Sequence, residues 1–374
     1  MKLKLKNTPE QVELIKAMGS RDATVAREAT QAFAAFIGPV VSKVLMQAGT
    51  ASAVYSDLPF DEDDNPSIPL DLFAGEGEGY TTVWSQNVGG GLPTSEVSGF
   101  SELKVATYRL DSAVSFLKRY ARRGRLDVVS KAVERMTNEV LVKQERNAWA
   151  VILKALAEAR TKFDGVTAAD HIESVSGGAL TLGGLNSLIT LVKRINTSYA
   201  GGTTDSSYGL TDLFVSPEIK GDIRAFAYNP VGGGFAGSTY SASENGKVTD
   251  LPAGVREEIY RGAGTQEIYG IAIHELIELG TGKKYNTLFD ELAAAGNSGL
   301  SFTPSSDEIL VGLDLTKDAF VRPVARNSET GGTFTALADD QFVMRADKIG
   351  FYGALEEGRV CIDGRAVAGL VVAS

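Results

Sequence analysis

The 374-residue chain carries 37 Lys plus Arg against 47 Asp plus Glu, a formal charge of −10. That balance excludes a protein whose main task is gripping nucleic acid, because such affinity comes from cationic side chains neutralising phosphates. One cysteine, Cys361, excludes an internal disulfide and fits a reducing compartment, and two histidines, His171 and His274, leave little for metal or acid–base chemistry.

The first 50 residues read as short helices. Thr8 and Pro9 give a start signal, Gln11 completes a capping box, and Gly19 ends the helix. Asp22 caps a second helix that places Val25, Ala29, Phe33, Phe36 and Ile37 on one face, with Gly38-Pro39 as its stop. A third piece covers Val40–Gln47. These helices have apolar faces but too little chain for a domain, so they read as an arm that packs on something else. Met1–Glu10 lacks the apolar core of a signal peptide, and no uncharged apolar run reaches roughly 18 residues. A soluble, cytosolic protein is expected.

Residues 57–79 hold eight acidic residues and no basic one, interrupted by Pro59, Pro66 and Pro69, which disfavours a helix. Tyr80–Val88 reads as a strand with Tyr80 and Trp84 on one face. Gly89–Gly91 with Leu92-Pro93 turns the chain, and Glu102–Leu110 returns as a second strand. This long, mostly polar hairpin has too little apolar surface to fold alone. Its return limb is basic, with seven Lys or Arg and one acid over Lys104–Arg125. The two opposite charge runs are either separate solvated faces or surfaces that meet, within one chain or between chains.

Asp127 caps a long helix predicted to reach Arg160, without Gly or Pro and with Val129, Val133, Met136, Val140, Trp149, Ile152 and Leu156 at helical spacing. From Val175 the chain alternates. Thr181 caps a helix through Leu185, Leu188, Ile189, Val192 and Ile195. Asp212–Val215 is a strand, Ser216-Pro217 opens a helix over Glu218–Phe226, and Asn229–Asn245 is a Gly- and Ser-rich loop. Ile268–Leu279 reads as one strand, and Val311–Asp314, Phe320–Pro323, Asp340–Ala346, Lys348–Ala354 and Val367–Val372 are further strand candidates. The fold class is α+β.

No catalytic, cofactor or metal constellation stands out. His274-Glu275-Leu276-Ile277-Glu278 lacks the second histidine of a zinc-protease helix and alternates like a strand. Gly262-Ala263-Gly264 and Gly280-Thr281-Gly282-Lys283-Lys284 lack the glycines and frame of nucleotide loops, and Gly296–Leu300 misses nucleophile-elbow spacing by one residue. Cys361 reads as a small buried apolar side chain. Asp61-Glu62-Asp63-Asp64 lacks the alternation of a calcium loop. No enzyme activity and no cofactor is expected.

The order of segments is more telling than any motif: a helical arm, a polar hairpin, a long helix, an α+β lobe and a strand-rich end. It resembles the major capsid proteins of tailed double-stranded DNA bacteriophages, the HK97-type fold. The resemblance implies an N-arm over residues 1–50, an extended E-loop over 57–108, and a P-domain over 109–174 with its spine helix at 127–160. An A-domain over 175–335 and a C-terminal return into the P-domain over 336–374 complete it. Leu210–Pro217, Asp340–Tyr352 and Asp363–Val367 carry the A-domain and return segments of the match. It further implies assembly into hexamers and pentamers of an icosahedral head that encloses DNA without sequence-specific binding and without a membrane. A separate scaffolding protein, a portal and a decoration or cement protein are the implied partners, and the location is the virion capsid, assembled in the host cytoplasm. With no lysine between Asp57 and Leu103, the lysine cross-link that some members form at this loop is excluded.

On this reading the residues expected between subunits are the acidic Asp57, Asp61, Glu62, Asp63 and Asp64, the apolar Tyr80, Trp84 and Leu92, and the basic Arg119, Arg122, Arg123 and Arg125. A nanocompartment shell of encapsulin type and a soluble two-domain enzyme using paired carboxylates are the alternative readings.

Overall fold

Pro9, with its preset φ and missing N–H, opens the first helix, α1 (Pro9–Met18), and Gly19 closes it. The computed structural model describes residues 8–47, 49–61, 64–69, 102–162, 168–195, 209–228, 266–297, 299–326, 332–339 and 347–374. Two compact units divide the chain: the first takes 1–68, 102–148 and 320–360, the second 69–101, 149–319 and 361–374.

In the first unit, α2 (Ala23–Gln47) begins behind Asp22, whose carboxylate accepts from the Thr24 hydroxyl at 2.8 Å and the Thr24 N–H at 3.0 Å. The hydroxyl bond foremost holds this carboxyl below its ordinary pKa. The sequence predicts a stop at Gly38-Pro39, yet α2 is one helix through both, and no separate piece covers Val40–Gln47. A proline inside a helix costs about 3 kcal/mol. Phe33, Ile37, Val41 and Leu45 form one buried row across it, and each such side chain contributes roughly 1.5–3 kcal/mol, so burial wins. Val25 and Phe36, expected on the buried face, are 42% and 46% exposed, because the helix turns the row through Ala29 and Phe33 inward instead.

Strands β1 (Ser56–Asp61), β2 (Ser67–Pro69), β3 (Glu102–Lys104) and β4 (Thr107–Leu117) follow, then the short α3 (Lys118–Arg122) and the long α4 (Leu126–Glu158). At about 1.5 Å per residue α4 spans roughly 50 Å. It starts one residue before the expected cap, with Asp127 in its first turn. In the second unit come β5 (Arg160–Lys162), β6 (Ala168–Asp170), β7 (Ile172–Ser176), α5 (Leu182–Ile195), β8 (Asp212–Val215) and α6 (Pro217–Tyr228). After these stand β9 (Gln266–Ile268), β10 (Ile271–Glu275), α7 (Lys284–Gly296) and β11 (Glu308–Leu313). The chain then re-enters the first unit with β12 (Phe320–Arg326), β13 (Phe334–Asp339) and β14 (Lys348–Gly358), and ends with β15 (Val360–Cys361) and β16 (Val367–Ala373).

The first unit's sheet has the order β1-β12-β14-β13, with β4 also on β14. β1 runs parallel to β12, and β4 runs antiparallel to β14 along its full eleven residues, from Thr107 opposite Gly358 to Leu117 opposite Lys348. Helices α1, α2 and the N-terminal part of α4 cover this sheet. Phe351 sits at the centre, 5.3 Å from the Phe33 ring and 6.0 Å from Phe116, with Val129, Val133, Met136 and Val140 of α4 in the same core.

The second unit is built on a mixed sheet of order β7-β16-β11-β8-β10-β9. The sequence places Phe320–Pro323 in this lobe and returns all of 336–374 to the other. Instead β12 pairs with β1, while β16 lies between β7 and β11 in the second unit. The reason lies in β16 itself: nearly every residue is apolar and buried, as a strand covered on both faces requires. One face of the sheet shares a buried core with α5 and α6, which includes Leu188, Val192, Ile219, Ile223, Leu310 and Leu370. On β8, the neighbouring Phe214 meets Trp149 of α4 at 4.9 Å, and Trp149 also meets Tyr285 of α7 at 5.9 Å. A Cβ on Gly369 would lie 2.9 Å from Leu156, so this glycine admits the close approach of α4.

Two further sequence expectations change. Ile268–Leu279 is not one strand but a hairpin: Tyr269 and Gly270 take φ of 56° and 79°, and Ile271 folds back opposite Ile268. Tyr269 and Ile277 are 59% and 76% exposed. Helix α7 was hidden by its Gly/Lys-rich lead-in, although Tyr285, Phe289 and Ala293 are buried at four-residue spacing. The predicted loop Asn229–Asn245 and strand Asp340–Ala346 lie outside the described residues.

Trp149→Ala is expected to cost about 3–5 kcal/mol in denaturant unfolding, as for a fully buried aromatic truncated to alanine. A second prediction concerns pH. Glu308 is pushed above its ordinary pKa, first by burial and then by Glu218 and Asp222, against a 2.5 Å bond from the Ser216 hydroxyl. Its contribution to stability is therefore full below the unfolded carboxyl value and is lost as pH rises through the raised folded one. Glu308→Gln should remove that loss, seen as a flatter melting temperature across this window.

Candidate assembly surface

The described strands on either side of residues 70–101 are anchored by several independent contacts. Gly49 leads into the first of them with φ of 103°, and a Cβ there would lie 2.6 Å from the Glu145 carboxylate of α4, so only glycine fits. That carboxylate accepts from the N–H groups of Thr50 at 3.1 Å and Ala51 at 3.2 Å, and from the Thr50 hydroxyl. Next, the Tyr55 hydroxyl donates to the Ala148 carbonyl at 2.9 Å while its ring meets Phe320 edge-on. β1 then pairs with β12, and the Arg322 guanidinium forks onto Asp57 with bonds of 2.6 and 2.8 Å. Arg322 is 4% exposed, so Asp57 neutralises a nearly buried charge.

The returning leg is held as firmly. β3 pairs with β2, and the Val105 N–H donates to the Pro66 carbonyl at 3.0 Å. On β4, the Tyr108 hydroxyl donates to Glu357 at 2.8 Å, and Gln144 of α4 donates to the same carboxylate at 2.9 Å. Arg359 pairs with Glu357 at 3.3 Å and lies 4.8 Å over the Tyr55 ring. Burial, then the nearby Glu357 charge, pushes the Tyr108 hydroxyl up to about 12. Both legs thus share one buried network with the long helix. Sequence reasoning missed Glu145, Gln144, Arg322, Glu357 and Arg359; the visible trace was an acid–base run, Glu356-Glu357-Gly358-Arg359, at the end of an apolar strand.

Of the expected intersubunit residues, Asp57 is engaged by Arg322 within its own chain. Asp61 and Asp64 are exposed at the end of β1 and in the turn after it. Glu62, Asp63, Tyr80, Trp84 and Leu92 lie outside the described residues. Arg122 donates to the Gly19 carbonyl at 2.8 Å and so closes the end of α1, and Arg119 stacks over Tyr120 at 5.1 Å. Arg123 and Arg125 are exposed. Among the described residues no ion pair joins the acidic and basic sets: β1 forms one edge of the sheet, and α3 follows β4 at another.

The sites considered from sequence assemble no reaction centre among the described residues. His274 on β10 pairs with Asp212 at 2.7 Å and stacks on Phe214. His171 is buried, bonded to the Thr161 hydroxyl and to backbone carbonyls of Gly364 and Val367. Burial, with Asp363 beside it, pushes the Cys361 thiol up to about 12, which leaves it without thiolate at neutral pH.

No protein-family model matches the sequence, and no curated protein is similar to it. The capsid of the cyanophage P-SCSP1u superposes with a TM-score of 0.50 over 86% of this chain and 87% of that one, at 13% identity. The fold is that of an HK97-type capsid subunit. Two other structures are less similar. The capsid of an empty GTA particle gives a TM-score of 0.48 at 12% identity over 87% of this chain and 91% of that one. The SrpI encapsulin of Synechococcus elongatus PCC 7942 gives 0.39 at 12% over 72% and 74%.

Within this HK97-type fold, Asp57→Ala should lower stability by about 1–3 kcal/mol in denaturant titration, because Arg322 loses its charge-assisted partner. Asp57→Asn should recover part of that loss.

Proposed function

We propose that this chain is a shell subunit, a major capsid protein that assembles into hexamers and pentamers of an icosahedral phage head enclosing double-stranded DNA. The observation that carries this reading is the fold, shared along most of the chain with a cyanophage capsid. In this proposal the first unit serves as the P-domain with α4 as its spine, the second as the A-domain, and residues 57–108 as the E-loop. The role is structural rather than catalytic. Its place is the virion capsid, assembled in the host cytoplasm, with a separate scaffolding protein, a portal and a decoration protein as partners.

The firm base of the hairpin supports this reading. A limb that must lie on a neighbour gains from a fixed root, because less freedom is lost on docking. The acidic end of the limb, Asp61, Glu62, Asp63 and Asp64, is proposed to dock on the basic surface of a neighbour through Arg119, Arg123 and Arg125. Tyr80, Trp84 and Leu92 supply the apolar contact. Exposed ion pairs contribute only about 0–1 kcal/mol each, so they set register and encounter more than affinity. Head-to-tail contacts of this kind close into rings, and many of them together give a strong shell.

Negative-stain microscopy of the expressed chain, with and without co-expressed scaffold, should show rings or closed shells; a monodisperse monomer under both conditions overturns the proposal. Charge reversal at Arg123 and Arg125, which spares the Gly19 contact of Arg122, should reduce particle yield at low salt. Particles loaded with protein cargo rather than DNA in the native source would point to a nanocompartment.

A further inference from the structure

Helix α6 is held at its start by one buried hydroxyl. Ser216 accepts from the Ile219 N–H at 3.1 Å and so caps the helix, and it donates to the Glu308 carboxylate at 2.5 Å. Glu308 opens β11, which lies between β16 and β8, so this bond fastens α6 to the middle of the second sheet. One turn further along α6, Asp222 accepts from the Leu180 N–H at 2.9 Å, just ahead of α5.

Three carboxylates gather at this cap. A Cβ on Gly280, in the loop before α7, would lie 3.1 Å from Glu218 Oε2 and 3.3 Å from Ser216 Cβ. Glu218 therefore stands beside the hydroxyl that holds Glu308. The charges of α6 that act on Glu308 are Glu218 and Asp222, both acidic. From the other elements around it, β16 presents the apolar Val372 in register, and the α7 loop presents Lys283, whose Cγ lies 3.7 Å from the same Gly280 position. Lys220 of α6 is committed to Glu275 of β10 at 2.9 Å. Asp307, the preceding residue, is bonded instead to Thr303, Ser306 and Ser374.

A helix N-terminus favours a nearby negative charge by about 0.3–1 kcal/mol, and Glu218 in the first turn already takes that place. A further charge on the half-buried Glu308 loses hydration and meets two like charges. These two effects outweigh the bond from Ser216, since the Glu308 pKa is raised rather than lowered. The hydroxyl can donate to the carboxyl in either protonation state, so titration changes the charge at the cap and leaves the Ser216 bond in place.

We propose that the start of α6 is an acid-closed latch: with Glu308 neutral the helix is seated on the second sheet through Ser216, and ionisation of Glu308 beside Glu218 and Asp222 opens this end locally. The sign follows from linkage: a carboxyl raised in the folded state stabilises the seat below its unfolded value, and that stability is lost as pH rises through the folded one. The latch belongs to the second unit alone and stands whether or not the chain forms a shell.

Hydrogen exchange of the full chain, read by mass spectrometry at mildly acidic and at neutral pH, tests it, because exchange reports local opening. Exchange of residues 216–224 is divided by that of α7 in the same sample, which cancels the chemical pH dependence of exchange. The ratio is expected to rise several-fold from acidic to neutral pH in the unmodified chain and to stay flat in Glu308→Gln. It should rise less in Glu218→Gln, which spares the Ser216 bond, and added salt at neutral pH should lower it by screening the repulsion. A flat ratio in the unmodified chain, or an equal rise in Glu308→Gln, overturns the latch. Should Glu308→Gln fail to fold, Glu218→Gln decides: a rise as large as that of the unmodified chain overturns the proposal, and a smaller one supports it.

Discussion

A single carboxylate with no solvent exposure, Glu357, ties the first unit together. It receives Tyr108 from one leg of the hairpin and Gln144 from the long helix, and it pairs with Arg359, which covers Tyr55 at the root of the other leg. A buried ion pair adds little net stability compared with a well-packed apolar replacement. Its effect is geometric: any shift of a leg strands a charge away from water. The described strands on either side, β1 and β4, are therefore held at one fixed place on the sheet.

The long helix takes part in two separate cores. Val129, Val133, Met136 and Val140 are buried in the first unit, and Trp149, Ile152, Leu153 and Leu156 in the second. Continuous helical hydrogen bonding carries the chain from one core into the next without a loop, which explains why α4 is about three times the usual helix length.

Local signals were legible where one physical term dominated. The caps at Asp22 and Thr181, the long helix and β8 all follow from side-chain chemistry within a few residues, and they appear where the sequence puts them; the Thr8 cap does not form, and Pro9 alone opens α1. Pro39 misled because its local cost is outweighed by a buried row visible only once α2 meets the sheet. Tyr269-Gly270 misled because alternation continued across a turn that both residues enter with positive φ. The anchoring network was illegible for a different reason: Glu145, Arg322 and Glu357 are ordinary charged residues until sheet and helix bring their distant partners within 3.3 Å.

By itself, the sequence determined the class of the chain, the helical start, the long helix and the lack of a recognisable reaction motif in its own pattern, because these depend on composition, periodicity and local caps. Only the tertiary structure decided that the last strand belongs to the second sheet, that Asp57 belongs to Arg322, and that β1 pairs with β12. Those outcomes depend on which strands pair across hundreds of residues, and pairing is a contest among whole surfaces that no local stretch of sequence contains.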